Sequence, residues 1–245
     1  MKILVCISNV PDTTTKITFS ADNKSFNSAG VQYIINPYDE IALTRALELK
    51  ESLGGTVTVI NVGLVSTEAN IRKALAIGAD DAIRINAEPL DAFFVASQIA
   101  EVAKKNQYDI ILTGRESIDY NSGLVAGMLA ELLEIPSVSV AVKLDINGTE
   151  ALLEREIDGG KEVLTTSLPF VASAQKGMAE PRIPNMRGIM TARTKPLQVV
   201  EPSGTTANTA FINYSSPPAK AACKLVSADN PAELINLLHN EAKVF

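Results

Sequence analysis

The chain has 245 residues, long enough to bury a substantial core as one large domain or two small ones. Hydrophobic residues make up 46% and charged residues 20%, which excludes wholesale disorder, and no apolar run reaches the length of a membrane span. A formal net charge of −6 gives no basis for nucleic acid or an anionic membrane as partner.

A first strand is expected over residues 2–8, apolar on both faces as in a buried parallel sheet. It follows Met1 with no cleavable signal pattern, and two cysteines far apart in sequence argue for a reducing cytosol, so a cytoplasmic protein is expected. The run NVPDTTTK breaks it, and residues 17–26 and 31–35 are expected to form a small hairpin carried on that loop. Asn36-Pro37 then starts a helix. Proline is tolerated in a first turn, and Asp39 and Glu40 suit the positive end of the helix dipole. Ile41, Leu43, Ala46, Leu47 and Leu49 form its buried stripe down to Leu53, and Gly54-Gly55 stops it.

A strand over 57–62, a helix over 68–77 ended by Gly78, a strand over 81–86 and a helix over 90–105 continue the alternation. The next unit, residues 108–133, carries the strongest functional signal. Ile110, Ile111 and Leu112 are too short a run for a helix and form a buried strand. Residues 113–120 are polar, and Leu124, Met128, Leu129, Leu132 and Leu133 then recur at helical spacing, with Asn121 or Ser122 expected as N-cap and Gly123 leaving the first turn open. Free N–H groups and the positive end of the dipole at such a strand-loop-helix turn favour an anion, so a phosphate is expected there; an ordinary capped turn is the alternative.

After Pro136 the period changes. Residues 137–144, 150–157 and 161–168 alternate as strands, separated by hairpin signals at Asn147-Gly148 and Asp158-Gly159-Gly160, and 170–174 is another short apolar run, so an antiparallel section closes the sheet. From Gln175 the chain is hard to place in a core. Residues 199–222 have the composition of an arm or linker, and a final helix over 231–242 sets Leu234, Leu237 and Leu238 on one face. The division predicted is an α/β body over 1–200 and a C-terminal arm over 201–245 that packs on a partner.

The alternation of strand and helix requires right-handed crossovers and a doubly wound, mainly parallel, Rossmann-like α/β sheet with ligands at the C-terminal strand ends, and its polar loops suit the adenine-nucleotide-binding kind. The single histidine, His239, falls in the last helix, and the two cysteines, Cys6 and Cys223, form no CxxC, so Ser-His or Cys-His catalysis and a zinc site are disfavoured. Neither GxGxxG after the first strand nor GxxxxGK[ST] occurs. What remains is a set of polar loops leaving one edge of the sheet: residues 6–9, Asn36 to Asp39, Val62-Gly63 and 114–122. Together they suit an adenosine-sized ligand, with Glu116 and Asp119 turned toward ribose hydroxyls or backbone N–H groups.

INPYDEIALTRALELKE, IRKALAIGADDAIRI, GRESIDYNSG, REIDGGKE and EPRIPNMRGIMTARTKP resemble, in order and spacing, the β subunit of electron transfer flavoprotein over about residues 1–202. The resemblance implies a non-enzymatic electron carrier subunit. It pairs with an α subunit that holds most of the FAD, accepts electrons from acyl-CoA and related dehydrogenases as in fatty acid oxidation, and passes them to a quinone oxidoreductase. It also implies AMP on this subunit, touching Cys6, Asn36, Pro37, Tyr38, Asp39, Val62 and the loop Gly114, Arg115, Glu116, Ser117, Ile118, Asp119, Tyr120, Asn121, Ser122 and Gly123. By the same comparison Tyr38 lies near the flavin, Thr13 stands where relatives often have tyrosine, and Met186, with Arg187 and Ile189, docks dehydrogenases where relatives carry a leucine anchor. A bifurcating branch of the family holds a second FAD in place of AMP. A stand-alone nucleotide-binding protein of the universal-stress kind has a similar sheet and would leave the arm dispensable.

Overall fold

The structure, a computed structural model, describes residues 1–220 and 222–245. Over these residues the chain divides into two compact units, Met1–Ile17 with Asn27–Ile212 and Thr18–Phe26 with Asn213–Phe245.

In chain order the larger unit runs β1 (Lys2–Cys6), β2 (Asn9–Pro11), β3 (Tyr33–Ile35), α1 (Pro37–Leu53), β4 (Thr56–Val62), α2 (Glu68–Ile77), β5 (Asp81–Ile85), α3 (Ala92–Asn106), β6 (Ile110–Gly114) and α4 (Val125–Leu133). It continues with β7 (Ser137–Asn147), β8 (Glu150–Ile157), β9 (Gly160–Ser167), β10 (Phe170–Ala174), α5 (Met186–Ala192) and β11 (Leu197–Val200). Nine strands form one sheet in the order β11-β5-β4-β1-β6-β10-β7-β8-β9. The run from β11 to β7 is parallel throughout, while β8 and β9 are antiparallel additions at one edge. This is the doubly wound, mainly parallel fold that the alternation predicts.

The strand period assigns the two faces. Ile3 and Val5 of β1 join a core with α1 and α2, whereas Leu4 and Cys6 join a second core with α3 and α4. In β6, Ile110 and Leu112 belong to the first core and Ile111 to the second. Each such buried aliphatic side chain contributes roughly 1.5–3 kcal/mol relative to an exposed one. Pro37 occupies the first turn of α1, with Asp39 and Glu40 beside it, and Gly54 ends the helix at φ 76°, a conformation that favours glycine.

Several expectations change. β3 pairs with β2, not with residues 17–26; the latter contain only a Phe19–Phe26 bridge, in the smaller unit. The pairing follows the backbone groups beside Val10, which is fully buried, while residues 17–26 are mostly polar and solvated. β10 is not part of the antiparallel section: it is inserted parallel between β6 and β7 with all five residues buried. The stretch after Gln175 is not all arm. α5 packs on α2, and β11 covers the edge of β5, so Val199 and Val200 are sheet residues. Arg72 fixes this segment by donating to the carbonyls of Ala192 at 2.8 Å and Lys195 at 2.7 Å. The linker expected over 199–222 includes residue 221, which lies outside the described residues.

In the smaller unit, Phe19 stacks on Tyr214 with ring centroids 5.1 Å apart, and the Tyr214 N–H donates to the carbonyl of Asn23 at 2.8 Å. The last helix is α6 (Pro231–Asn236), continuing as a π-type turn over Leu237–Ala242; Leu234 and Ile235 are exposed.

Candidate functional site

β1 and β6 lie side by side at the centre of the sheet, and their chain connections leave in opposite directions, through α1 to β4 on one side and through α4 to β7 on the other. A crevice opens at the C-terminal ends of the strands at such a switch point. Here it is a cavity of about 790 Å³, within the size range of small-molecule sites. Residues 6–9 after β1, 62–64 after β4, 88–92 after β5 and the segment between β6 and α4 all contribute walls.

One carboxylate ties the two central strands together. Asp39, in the first turn of α1, accepts from the Ser8 N–H at 2.7 Å and the Ser8 hydroxyl at 2.6 Å through one oxygen, and from the Gly114 N–H at 2.9 Å through the other. Burial pushes its pKa up to about 6, opposed by the donors from Ser8 and Gly114. Asn36 works alongside it: its amide donates to the carbonyl of Glu116 at 2.8 Å, and its oxygen accepts the Ile118 N–H at 3.3 Å. A Cβ on Gly114 would run into the Asp39 carboxylate and the Tyr38 backbone, so only glycine permits this close approach. Burial first, and then the Asp39 charge, hold the Cys6 thiol far above its ordinary range, which removes it as a nucleophile.

The segment after β6 closes on itself. The Ser117 N–H donates to the Ser122 carbonyl at 3.0 Å and the Asn121 N–H to the Ser117 carbonyl at 2.8 Å, with Asn121 at φ 53°. α4 therefore begins later than expected, at Val125, with Leu124 at the cap position and no side-chain cap. Neither Asn121 nor Ser122 caps it, because both are consumed by this tight turn. The consequence favours a ligand. Leu124, Val125 and Ala126 line the cavity, and no side chain competes for the first-turn N–H groups. The nearby carboxylates are engaged elsewhere: Glu116 pairs with Arg115 at 2.9 Å, and Asp119 accepts from the Ser117 hydroxyl.

Among the expected contact residues, Cys6, Asn36, Asp39, Val62, Gly114, Glu116, Ser117, Asp119, Tyr120, Ser122 and Gly123 line the cavity. Pro37, Tyr38, Arg115, Ile118 and Asn121 do not. Pro37 starts α1, the Arg115 guanidinium lies 5.4 Å from the Tyr38 ring centre, and Ile118 and Asn121 hold the turn. Met186, Arg187 and Ile189 stand on α5, all exposed, Met186 at 75%. Ser8 and Asn9, within the expected 6–9 loop, also line the cavity, whereas sequence reasoning missed the 88–92 loop and a wall made by Thr209, Ala210 and Phe211. The Asp91-Ala92-Phe93-Phe94 run carried an N-cap signal; residues 209–211 carried none. Among the described residues no helix is long and apolar enough to cross a membrane, and no group of three or more His, Cys, Asp or Glu is placed to hold a metal ion.

A large crevice at the switch point of a doubly wound parallel sheet, beside an uncapped helix N-terminus, defines a Rossmann-like α/β protein. The family model described as "Electron transfer flavoprotein domain" matches residues 24–204. Curated proteins named "Electron transfer flavoprotein subunit beta" align over most of the chain. That of Bacillus subtilis (strain 168) is 39% identical over 258 residues, covering 100% of both chains. That of Syntrophomonas wolfei is 39% identical over 224 residues, covering 91% of this chain and 88% of the relative, and that of Homo sapiens is 32% identical over 232 residues, covering 91% of each. The chain belongs to the electron transfer flavoprotein family, among its beta subunits.

Proposed function

We propose that this chain is the non-catalytic β subunit of a heterodimeric electron transfer flavoprotein working in the cytoplasm, and that its switch-point cavity holds AMP. The observation that carries the reading is the uncapped N-terminus of α4 beside a cavity of about 790 Å³ whose central loops are tied by Asp39. A phosphate takes the free N–H groups of α4, and the polar loop before the helix serves the ribose. The non-catalytic reading is supported by the place of the one histidine, His239, in the smaller unit and by Cys6 being held as a neutral thiol.

The partner is an α subunit holding most of the FAD, which supplies the electron-carrying chemistry when bound; Tyr38 lies near that flavin. Of the arm expected over 201–245, the part beyond Ile212 packs on that subunit, a reading supported by the exposed Leu234 and Ile235 of α6. Acyl-CoA and related dehydrogenases dock on the exposed Met186, Arg187 and Ile189 of α5, and electrons leave to a quinone oxidoreductase.

A second reading, FAD in the cavity instead of AMP, is favoured by the volume, which lies toward the upper end for small-ligand sites. Mass spectrometry of the small molecule released on denaturation separates the two. AMP at one equivalent supports the first reading and FAD the second; a chain that releases neither, alone or co-expressed with its α partner, overturns both.

A further inference from the structure

The last wall of the cavity comes from beyond the sheet. β11 ends at Val200, yet Thr209, Ala210 and Phe211 line the cavity. The path between is pinned at two points on α3. At the first, the buried Gln98 takes both backbone groups of Ser203: its Oε1 accepts the N–H at 2.7 Å and its Nε2 donates to the carbonyl at 3.4 Å. At the second, Asp91 divides its carboxylate between two tasks. Oδ1 accepts the Phe94 N–H at 2.7 Å and caps α3. Oδ2 accepts the Asn208 N–H at 2.7 Å, the Thr209 N–H at 2.8 Å and the Thr209 hydroxyl at 3.1 Å.

On the other rim, the Phe211 ring meets Tyr120 edge-on at 6.5 Å between centroids. Residues 208–211 thus span from the loop after β5 to the loop before α4. Among the described residues, 204–210 make no backbone–backbone hydrogen bond to the sheet, so the polar tether near this end is the Asp91 side chain. Although burial opposes it, the N–H donors of Phe94, Thr209 and Asn208 hold the Asp91 pKa below its ordinary value, so it is ionised at neutral pH.

We propose that Asp91 is a positioning residue that latches residues 208–211 across the nucleotide cavity, and that this strap sets the rate at which the bound nucleotide exchanges. The inference rests on the nucleotide reading of the cavity. On this reading the bound nucleotide leaves when the strap lifts from one rim. Opening it breaks three hydrogen bonds to one carboxylate oxygen and the Tyr120–Phe211 contact.

Three variants separate the latch from the helix cap. Asp91→Asn keeps an oxygen for the Phe94 N–H but turns an NH2 toward Asn208 and Thr209, opposing donor to donor. Asp91→Ser still caps α3 and is too short to reach the strap. Phe211→Ala leaves the cap untouched and removes the aromatic contact. The experiment uses the purified complex with its α subunit, loaded as isolated, and follows exchange of bound nucleotide against isotope-labelled AMP by mass spectrometry. All three variants are expected to exchange about tenfold faster or more than the unaltered complex, with melting temperatures little changed. Exchange half-times equal to that of the unaltered complex overturn the latch and leave the nucleotide reading standing. An unaltered complex that releases no nucleotide on denaturation and takes up no labelled AMP overturns the nucleotide reading itself, and the latch with it.

Discussion

Asp39 in the first turn of α1 accepts the backbone N–H of Gly114 at the end of β6, 2.9 Å away, and so fixes a helix start against the strand end that opens the cavity. Its other oxygen holds Ser8 beyond β1. The two loops at the switch point are therefore positioned by one buried side chain. Asp39→Ala leaves the Ser8 N–H, the Ser8 hydroxyl and the Gly114 N–H without that acceptor. Relief from burying a carboxylate offsets part of the loss, and the net destabilisation expected is about 3 kcal/mol, read as a lower urea midpoint with unchanged slope. A midpoint within about 0.5 kcal/mol of the unaltered protein would show that the loops hold themselves.

The same carboxylate makes stability depend on pH in an uncommon direction. Burial raises its pKa from an ordinary 3.8 to about 6, so between these values the folded protein binds the proton more tightly than the unfolded chain. Stability therefore falls as pH rises from about 4 through about 6, by about 3 kcal/mol at 1.36 kcal/mol per pH unit, and is level above that range. Urea midpoints across pH 4 to 8 are expected to show this fall relative to Asp39→Asn, in which the group cannot ionise. Parallel profiles for the two proteins would mean that Asp39 keeps an ordinary carboxylate pKa.

Ser122 lines the cavity just before the uncapped α4. Ser122→Asp places a fixed negative charge where the proposed phosphate sits, and like charges in a partly desolvated site repel strongly. The nucleotide content of the purified complex is expected to drop at least tenfold, by mass spectrometry after denaturation. Full retention of AMP would place the phosphate elsewhere in the cavity.

Met186 is 75% exposed on α5 and belongs to neither hydrophobic core, and Ile183 and Met190 are exposed nearby in the chain, at 92% and 71%. A flexible thioether suits an irregular pocket on a partner. Met186→Ala is expected to slow reduction of the complex by its partner dehydrogenase about tenfold while leaving nucleotide content unchanged and stability within about 0.5 kcal/mol. Identical reduction rates would remove α5 from the docking surface.

Much of the site was legible because it is built from local signals. Asn36-Pro37 with Asp39 marks the start of α1, and the apolar Ile110, Ile111 and Leu112 mark β6. The cap of α4 was misplaced because Asn121 and Ser122 satisfy the same local rule in a tight turn as at a helix start; the Ser117–Ser122 bridge, a contact within the folded loop, decides between them. The wall at Thr209 to Phe211 was invisible, since its anchor, Asp91, lies more than a hundred residues earlier in the chain and no composition marks that pairing.

The sequence by itself determined the order and kind of the central elements, and through them the parallel sheet, because apolar runs punctuated by glycine, proline and capping residues carry that information locally. It also determined the family, through the spacing of its longer motifs. Only the tertiary structure decided that β10 lies between β6 and β7, that β11 completes the edge beside β5, and that one stretch of apparent linker lines the cavity. These depend on which distant backbone groups and carboxylates are left needing a partner once the core has formed, and that is a property of the assembled fold.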